Sequence, residues 1–237
     1  MLYFRNDYGA GAHPAVLEAL CRTNMDLTPG YGTDKYTRQA EETVRALCGQ
    51  PDAAVHFLMG GTQVNKTAIA AFLRPYEAVL AAASGHICVH EAGAVEQDGH
   101  AVLRLPAPDG KLTPELLRSA MAGPVNEHTV VPRLAYISNT TELGTVYTRP
   151  ELLALRRCCD ELGLYLYCDG ARLGSAMDAG GTDFADYGAC CHAFTIGGTK
   201  NGLLLGEALV ILEPALRPGF RNCMKQHGGM LAKGRLL

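Results

Sequence analysis

Two residues hold the most chemical information in this chain of 237 residues. Lys200 lies in Ile196-Gly197-Gly198-Thr199-Lys200-Asn201-Gly202, just past a short apolar run. Asp169 ends another apolar run 31 residues earlier. An amine and a carboxylate at the ends of two strands suit pyridoxal phosphate. The amine forms an imine with the aldehyde, and the carboxylate keeps the pyridine nitrogen protonated so that the ring accepts electrons. Each residue also has an ordinary reading, a solvated loop lysine and a helix-capping aspartate. The glycines beside Lys200 favour the first reading, because glycine lets a backbone approach a ligand closely.

Other groups fit around this pair. Asp169 is followed by Gly170-Ala171-Arg172, whose guanidinium could meet a phosphate or a substrate carboxylate, or be a surface partner. Gly60-Gly61-Thr62-Gln63 turns from a strand into a helix, where free amides and the helix dipole favour phosphate. His86, in His86-Ile87-Cys88-Val89-His90-Glu91, could stack on a ring and accept a proton, or be a satisfied turn histidine. Glu91 could be an ordinary helix-start acid.

Elements that would position these groups alternate between helix and strand, which predicts an α/β fold with a mostly parallel central sheet and helices on both faces. Pro14 opens an amphipathic helix. Thr37 is expected to cap a second helix, with Ala40, Val44 and Leu47 on its apolar face. Strands are expected at 55–58, 79–82, 134–138, 165–168, 193–196 and 208–212. Thr148-Arg149-Pro150-Glu151 reads as a capping box for a helix ending at Gly163. The tail from Pro214 to Leu237 is expected to be a helix heading away from the sheet.

Composition excludes several classes. Hydrophobic residues are 48% and charged residues 19%, which is globular. The formal charge is −3 and no Lys/Arg stripe appears, so nucleic acid is not an expected partner. Apolar runs fall short of the roughly 20 residues that span a bilayer, so no membrane is expected either. Nine cysteines, with two adjacent pairs and no C-x-x-C, argue against a disulfide framework and a zinc site. No metal is expected. Met1 to Asp7 shows no signal peptide, and a cytoplasmic location is expected.

With these residues assembled, the chain resembles the threonine aldolases, within the β-eliminating lyase group of fold type I pyridoxal-phosphate enzymes. The anchors are Arg5-Asn6-Asp7, Gly30-Tyr31-Gly32 with Asp34, Gly61-Thr62-Gln63-Val64-Asn65, His86 with Glu91, Asp169-Gly170-Ala171-Arg172-Leu173, and Thr199-Lys200. The resemblance implies a cofactor, pyridoxal 5'-phosphate, linked to Lys200. It implies Asp169 on the ring nitrogen, Gly61 and Thr62 on the phosphate, and His86 on the ring. Arg172 would meet the substrate carboxylate or the cofactor, Asn6 the substrate carboxylate, and Glu91 the substrate hydroxyl. His128 matches a second histidine of some members. The implied reaction is retro-aldol cleavage of L-threonine or L-allo-threonine to glycine and acetaldehyde, with His86 or a water near Glu91 as base. Alternatives are another β-elimination or β-hydroxy amino acid cleavage, or an inactive chain serving as an assembly partner.

Residues 1–237 then read as a cofactor-binding large domain with an N-terminal arm over about 1–36. The family's smaller C-terminal domain is expected to be missing. A homodimer or homotetramer is implied, with Tyr31 reaching the neighbouring subunit's site. Ser138-Asn139-Thr140-Thr141-Glu142 departs from the family's usual Glu-Asn-Thr-His form.

Overall fold

The structure, a computed structural model, describes residues 4–124 and 126–237. Met1 to Tyr3, the start of the expected arm, lie outside the described residues, as does that part of the signal-peptide reading.

Seven strands form one sheet: β1 (Ala54–Leu58), β2 (Glu77–Ala82), β3 (Val102–Leu105), β4 (Val131–Ser138), β5 (Tyr165–Asp169), β6 (Ala193–Gly197) and β7 (Glu207–Ile211). Their spatial order is β1-β7-β6-β5-β4-β2-β3. Only β7 runs against the others, pairing antiparallel with both β6 and β1. The expected mostly parallel sheet is therefore present. Strand β3 went unread in the sequence: Val102-Leu103-Arg104-Leu105 is a short edge strand without a fully buried residue.

The helices are α1 (Pro14–Thr23), α2 (Lys35–Leu47), α3 (Gly61–Phe72), α4 (His86–Val89), α5 (Ala94–Gln97), α6 (Pro114–Met121), α7 (Arg149–Leu162), α8 (Leu173–Gly180), α9 (Phe184–Cys190) and α10 (Phe220–Gln226). They cover both faces of the sheet. On one face Leu152, Leu155 and Cys159 of α7 and Tyr187 of α9 bury against Ala135, Ile137, Leu166, Cys168 and Phe194. On the other, Val64, Ala68 and Ile69 of α3 and Phe220 of α10 bury against Val79, Leu134, Tyr136, Tyr167 and Leu209. Alternation along β5 sorts Leu166 and Cys168 to the first face and Tyr167 to the second. Asp169 continues that alternation on the second face, the α3 side.

Two local expectations need correction. Asp34, not Thr37, caps α2: its Oδ1 accepts from Tyr36 N and Thr37 N, both at 2.9 Å, and its Oδ2 from Thr37 Oγ1 at 2.8 Å. A carboxylate offers more acceptor capacity than a hydroxyl, so it takes two free N–H groups of the first turn. The tail is not one departing helix. It breaks at Pro218-Gly219 and Gly228-Gly229 and folds back, with Ala232 O accepting from Tyr31 N and Leu237 beside Gly206. No disulfide joins the nine cysteines. Among the described residues no helix is long and apolar enough to cross a membrane.

Candidate active site

The carboxyl ends of β1, β4, β5 and β6 and the start of β7 share one edge, because Ser138 pairs with Asp169, and Glu207 with both Gly197 and Leu58. Ligands of open α/β sheets bind at such an edge. A cavity of about 300 Å³ opens there. Lys200, Asp169, Gly61, Thr62, His86 and Arg172 all lie on its wall. Its volume is at the small end of the roughly 300–1,000 Å³ range of ligand pockets.

The segments carrying Asp169 and Lys200 are stitched to each other. Gly170 N donates to Thr195 Oγ1 at 2.8 Å, and Gly197 N to Gly170 O at 3.0 Å. Asn201 Nδ2 donates to Gly197 O at 2.8 Å and to Ala171 O at 3.2 Å. A Cβ at Gly170 would stand 2.0 Å from Thr195 O, and one at Gly197 2.3 Å from Ala171 O. These glycines admit a neighbouring backbone, which corrects the expectation that Gly197 makes room for a ligand. Around Gly60 and Gly61 a Cβ would meet nothing within 4 Å, so open space lies at the start of α3. The first N–H groups of that helix have no intrahelical partner.

Asp169 is buried, and both its oxygens are used. Oδ1 accepts from Ala171 N at 3.0 Å. Oδ2 accepts from Tyr136 Oη at 2.7 Å and Asn65 Nδ2 at 2.8 Å. Burial pushes the Tyr136 and Tyr167 hydroxyls well above the usual phenol range, so both stay protonated donors. His86 opens α4, and its Nδ1–H donates to Glu91 Oε1 at 2.8 Å. That bond raises the His86 pKa against the opposing effect of burial. Glu91 itself is fully buried in its side chain and is not on the cavity wall. It stands behind His86, which corrects its expected place near a substrate hydroxyl.

The remaining expected residues divide. Arg172 reaches the wall with its guanidinium already held, Nε and Nη2 donating to Asp7 at 2.5 and 3.2 Å. This bond holds the Asp7 carboxyl below its ordinary range. Asn6 lies in the same arm, its Oδ1 accepting from Tyr8 N at 3.2 Å, and is not on this wall. Tyr31 is turned toward the tail, its carbonyl accepting from Arg221 and its ring under Lys225. His128 is misplaced for this chain's own site. It precedes β4, at the amino end of a strand whose carboxyl end carries Ser138, and its side chain is 84% exposed.

Several contributors escaped the sequence. Asn65, one turn after Gly61 on α3, donates to the buried acids Glu91 and Asp169, and Tyr167 Oη donates to Asn65 Oδ1. Ser138, Thr140 and Glu142 of the divergent segment line the cavity. Glu207 lines it as well, with Oε2 accepting from Gly198 N at 3.1 Å, and burial pushes its pKa up to about 7. Period-two alternation was a usable signal: Tyr136 pairs with Tyr167 and Ser138 with Asp169 on one face. His86, Glu91 and Asp169 also bring ligand atoms within 4.8 Å of one another. Asn65 donates to both carboxylates there.

The fold defines the class first. Aspartate aminotransferase of Thermus thermophilus superposes with a TM-score of 0.72 at 15% identity, covering 96% of this chain and 61% of that one, so the chain has a pyridoxal-phosphate transferase-like fold. Threonine aldolase of Leishmania major superposes with a TM-score of 0.96 at 47% identity, covering 98% of this chain and 68% of that one. A low specificity L-threonine aldolase of Pseudomonas aeruginosa is 34% identical over 99% of this chain and 68% of its own length. One of Saccharomyces cerevisiae is 30% identical over 87% and 54%. The profile of the β-eliminating lyases matches residues 4–237. The chain belongs to the β-eliminating lyase family and is an enzyme of the lyase type.

Proposed function

We propose that this chain is a pyridoxal-phosphate aldolase that cleaves L-threonine or L-allo-threonine between Cα and Cβ, giving glycine and acetaldehyde. The carrying observation is that Lys200, Asp169 and His86 line one cavity at the carboxyl edge of the sheet. The residues fit the group. Lys200 would hold its aldehyde carbon, Asp169 its ring nitrogen, His86 its ring, and Gly61 and Thr62, with the open start of α3, its phosphate. When bound, the cofactor supplies an electron sink for the bond that breaks.

The chain's own residues supply the rest. His86 commits Nδ1 to Glu91, which leaves Nε2 to take the proton of a substrate β-hydroxyl. Glu91 stabilises the charge that His86 gains. Arg172, braced by Asp7, binds the substrate carboxylate. Asn6, in the same arm, completes that recognition. Asp169 keeps its orientation through the three hydrogen bonds it accepts. The stitched glycine loops fix Lys200 relative to Asp169, which is the orientation the chemistry requires.

Residues 1–237 form, in this reading, a cofactor-binding large domain with an N-terminal arm over about 1–36. Helix α1 buries none of its residues, and Phe4, Met25 and Leu27 are almost fully exposed. A second copy in a homodimer or homotetramer would cover them. The test is product analysis: purified protein with pyridoxal phosphate and L-threonine should release acetaldehyde and glycine in equal amounts. Ammonia with a 2-oxo acid would show β-elimination instead, and no product with either threonine isomer would end the aldolase reading.

A further inference from the structure

Asn65 is 1% exposed, at the centre of the buried polar cluster. Its Nδ2 donates to Asp169 Oδ2 and to Glu91 Oε1, each at 2.8 Å. Its Oδ1 accepts from Tyr167 Oη at 2.9 Å. Rotating the amide by half a turn would set Oδ1 against two carboxylate oxygens at hydrogen-bond distance with no proton between them. The orientation is therefore fixed by chemistry. Two carboxylates this close, in a buried site, tend to share one proton unless a donor stands between them. A protonated Asp169 could not serve as the anion for a pyridinium nitrogen. Glu91 Oε2 is buried without a partner, so its charge rests on the donors at Oε1, Asn65 and His86.

We infer that Asn65 is a positioning residue whose single NH2 group keeps the carboxylates of Asp169 and Glu91 ionised side by side, and so prepares both the ring-nitrogen anion and the His86 partner. This rests on the cofactor reading above. The charged and titratable groups around the pair are His86, Cys88, Tyr136 of β4, Tyr167 and Cys168 of β5, Glu142, Arg172, Lys200 and Glu207 of β7. None of them except His86, on Glu91 alone, and Tyr136, on Asp169 alone, donates a hydrogen bond to either acid. Asn65 donates to both.

The experiment compares wild type, Asn65→Leu and Asn65→Leu/Glu91→Gln, with Asn65→Ser as the milder variant should leucine prevent folding. Pyridoxal phosphate binding is followed by absorbance at pH 6.5 and 8.5. Carboxyl 13C signals of Asp- and Glu-labelled protein are followed against pH without cofactor. The expected result is a cofactor dissociation constant at least tenfold higher in Asn65→Leu, with a larger loss at pH 6.5. An added carboxyl titration near neutrality should accompany it. Neutralising Glu91 should remove that titration and restore affinity to within about threefold of wild type. A merely packing role predicts no such rescue. A double variant as weak as Asn65→Leu, or single variants that match wild type in both readouts, would overturn the inference. If wild type fails to bind the cofactor, the functional reading fails, and the 13C arm alone still decides the role of Asn65.

Discussion

His86 and His192 sit at opposite ends of one sheet, and their surroundings differ in kind. His192 ends the α9–β6 connection at the amino edge. Its Nδ1 accepts from Leu166 N at 2.8 Å, its Nε2 meets Asp160 at 3.1 Å, and its carbonyl accepts from Leu212 N and Glu213 N. Burial pushes its pKa down to about 4, so it is a neutral clip between β5, β6 and β7. At the carboxyl edge His86 is pushed the other way by Glu91. On the same cavity wall Glu207 is pushed up to about 7 by burial, and behind His86 the Glu91 Oε2 lacks a partner. The amino edge uses its titratable group to fasten strands. The carboxyl edge tolerates acids that cost stability, and such groups concentrate where chemistry is done.

The comparison can be broken first at His86. His86→Asn should lower kcat/KM for threonine by about 10²–10⁴ when assayed at saturating cofactor. A loss below about threefold would show that no proton passes through this ring.

Glu207 and His192 test the stability side, and the signs are distinct. Folding raises the Glu207 pKa from 4.5 to about 7, so the folded state holds the extra proton between those values. Stability falls as pH rises from 4.5 through 7 and stays lower above, by at most about 3 kcal/mol. Glu207→Gln keeps an acceptor for Gly198 N and should unfold later than wild type in urea at pH 8, with the gain gone at pH 4.5. For His192 the folded pKa is lowered from 6.5 to about 4, so the unfolded state takes the proton first. Its stabilising effect is complete above 6.5 and declines as pH falls toward 4, again by at most about 3 kcal/mol. His192→Asn should flatten that part of the acid unfolding profile. His56, also lowered to about 4, should keep the rest.

The smallest effect belongs to the start of α2. Asp34→Ala should cost about 2 kcal/mol and Thr37→Val about 1 kcal/mol, read from denaturant midpoints, because the carboxylate is the cap of α2.

The sheet and its chemical edge were legible because short apolar runs ending in Asp169 or in Gly197-Gly198 carry both strand and ligand signals. Asp169 and Lys200, singled out by their strand-end positions and the glycines beside Lys200, line one cavity. Asn65 was quoted within a motif but given no role, since an asparagine inside a helix looks the same whether it faces water or two acids. His128 misled because a match in order along the chain ignores which end of a parallel strand a residue occupies. The tail misled because its basic residues mask the breaks at Gly219 and Gly228. Glu207 was hidden in an apolar strand, where only the antiparallel register with Gly197 reveals its place.

Borohydride reduction of the protein with pyridoxal phosphate, followed by peptide mass mapping, tests the central claim most directly. The account predicts cofactor mass on the peptide containing Lys200 and none in Lys200→Ala. Labelling that survives in Lys200→Ala at wild-type level, or that maps to another lysine, would contradict it.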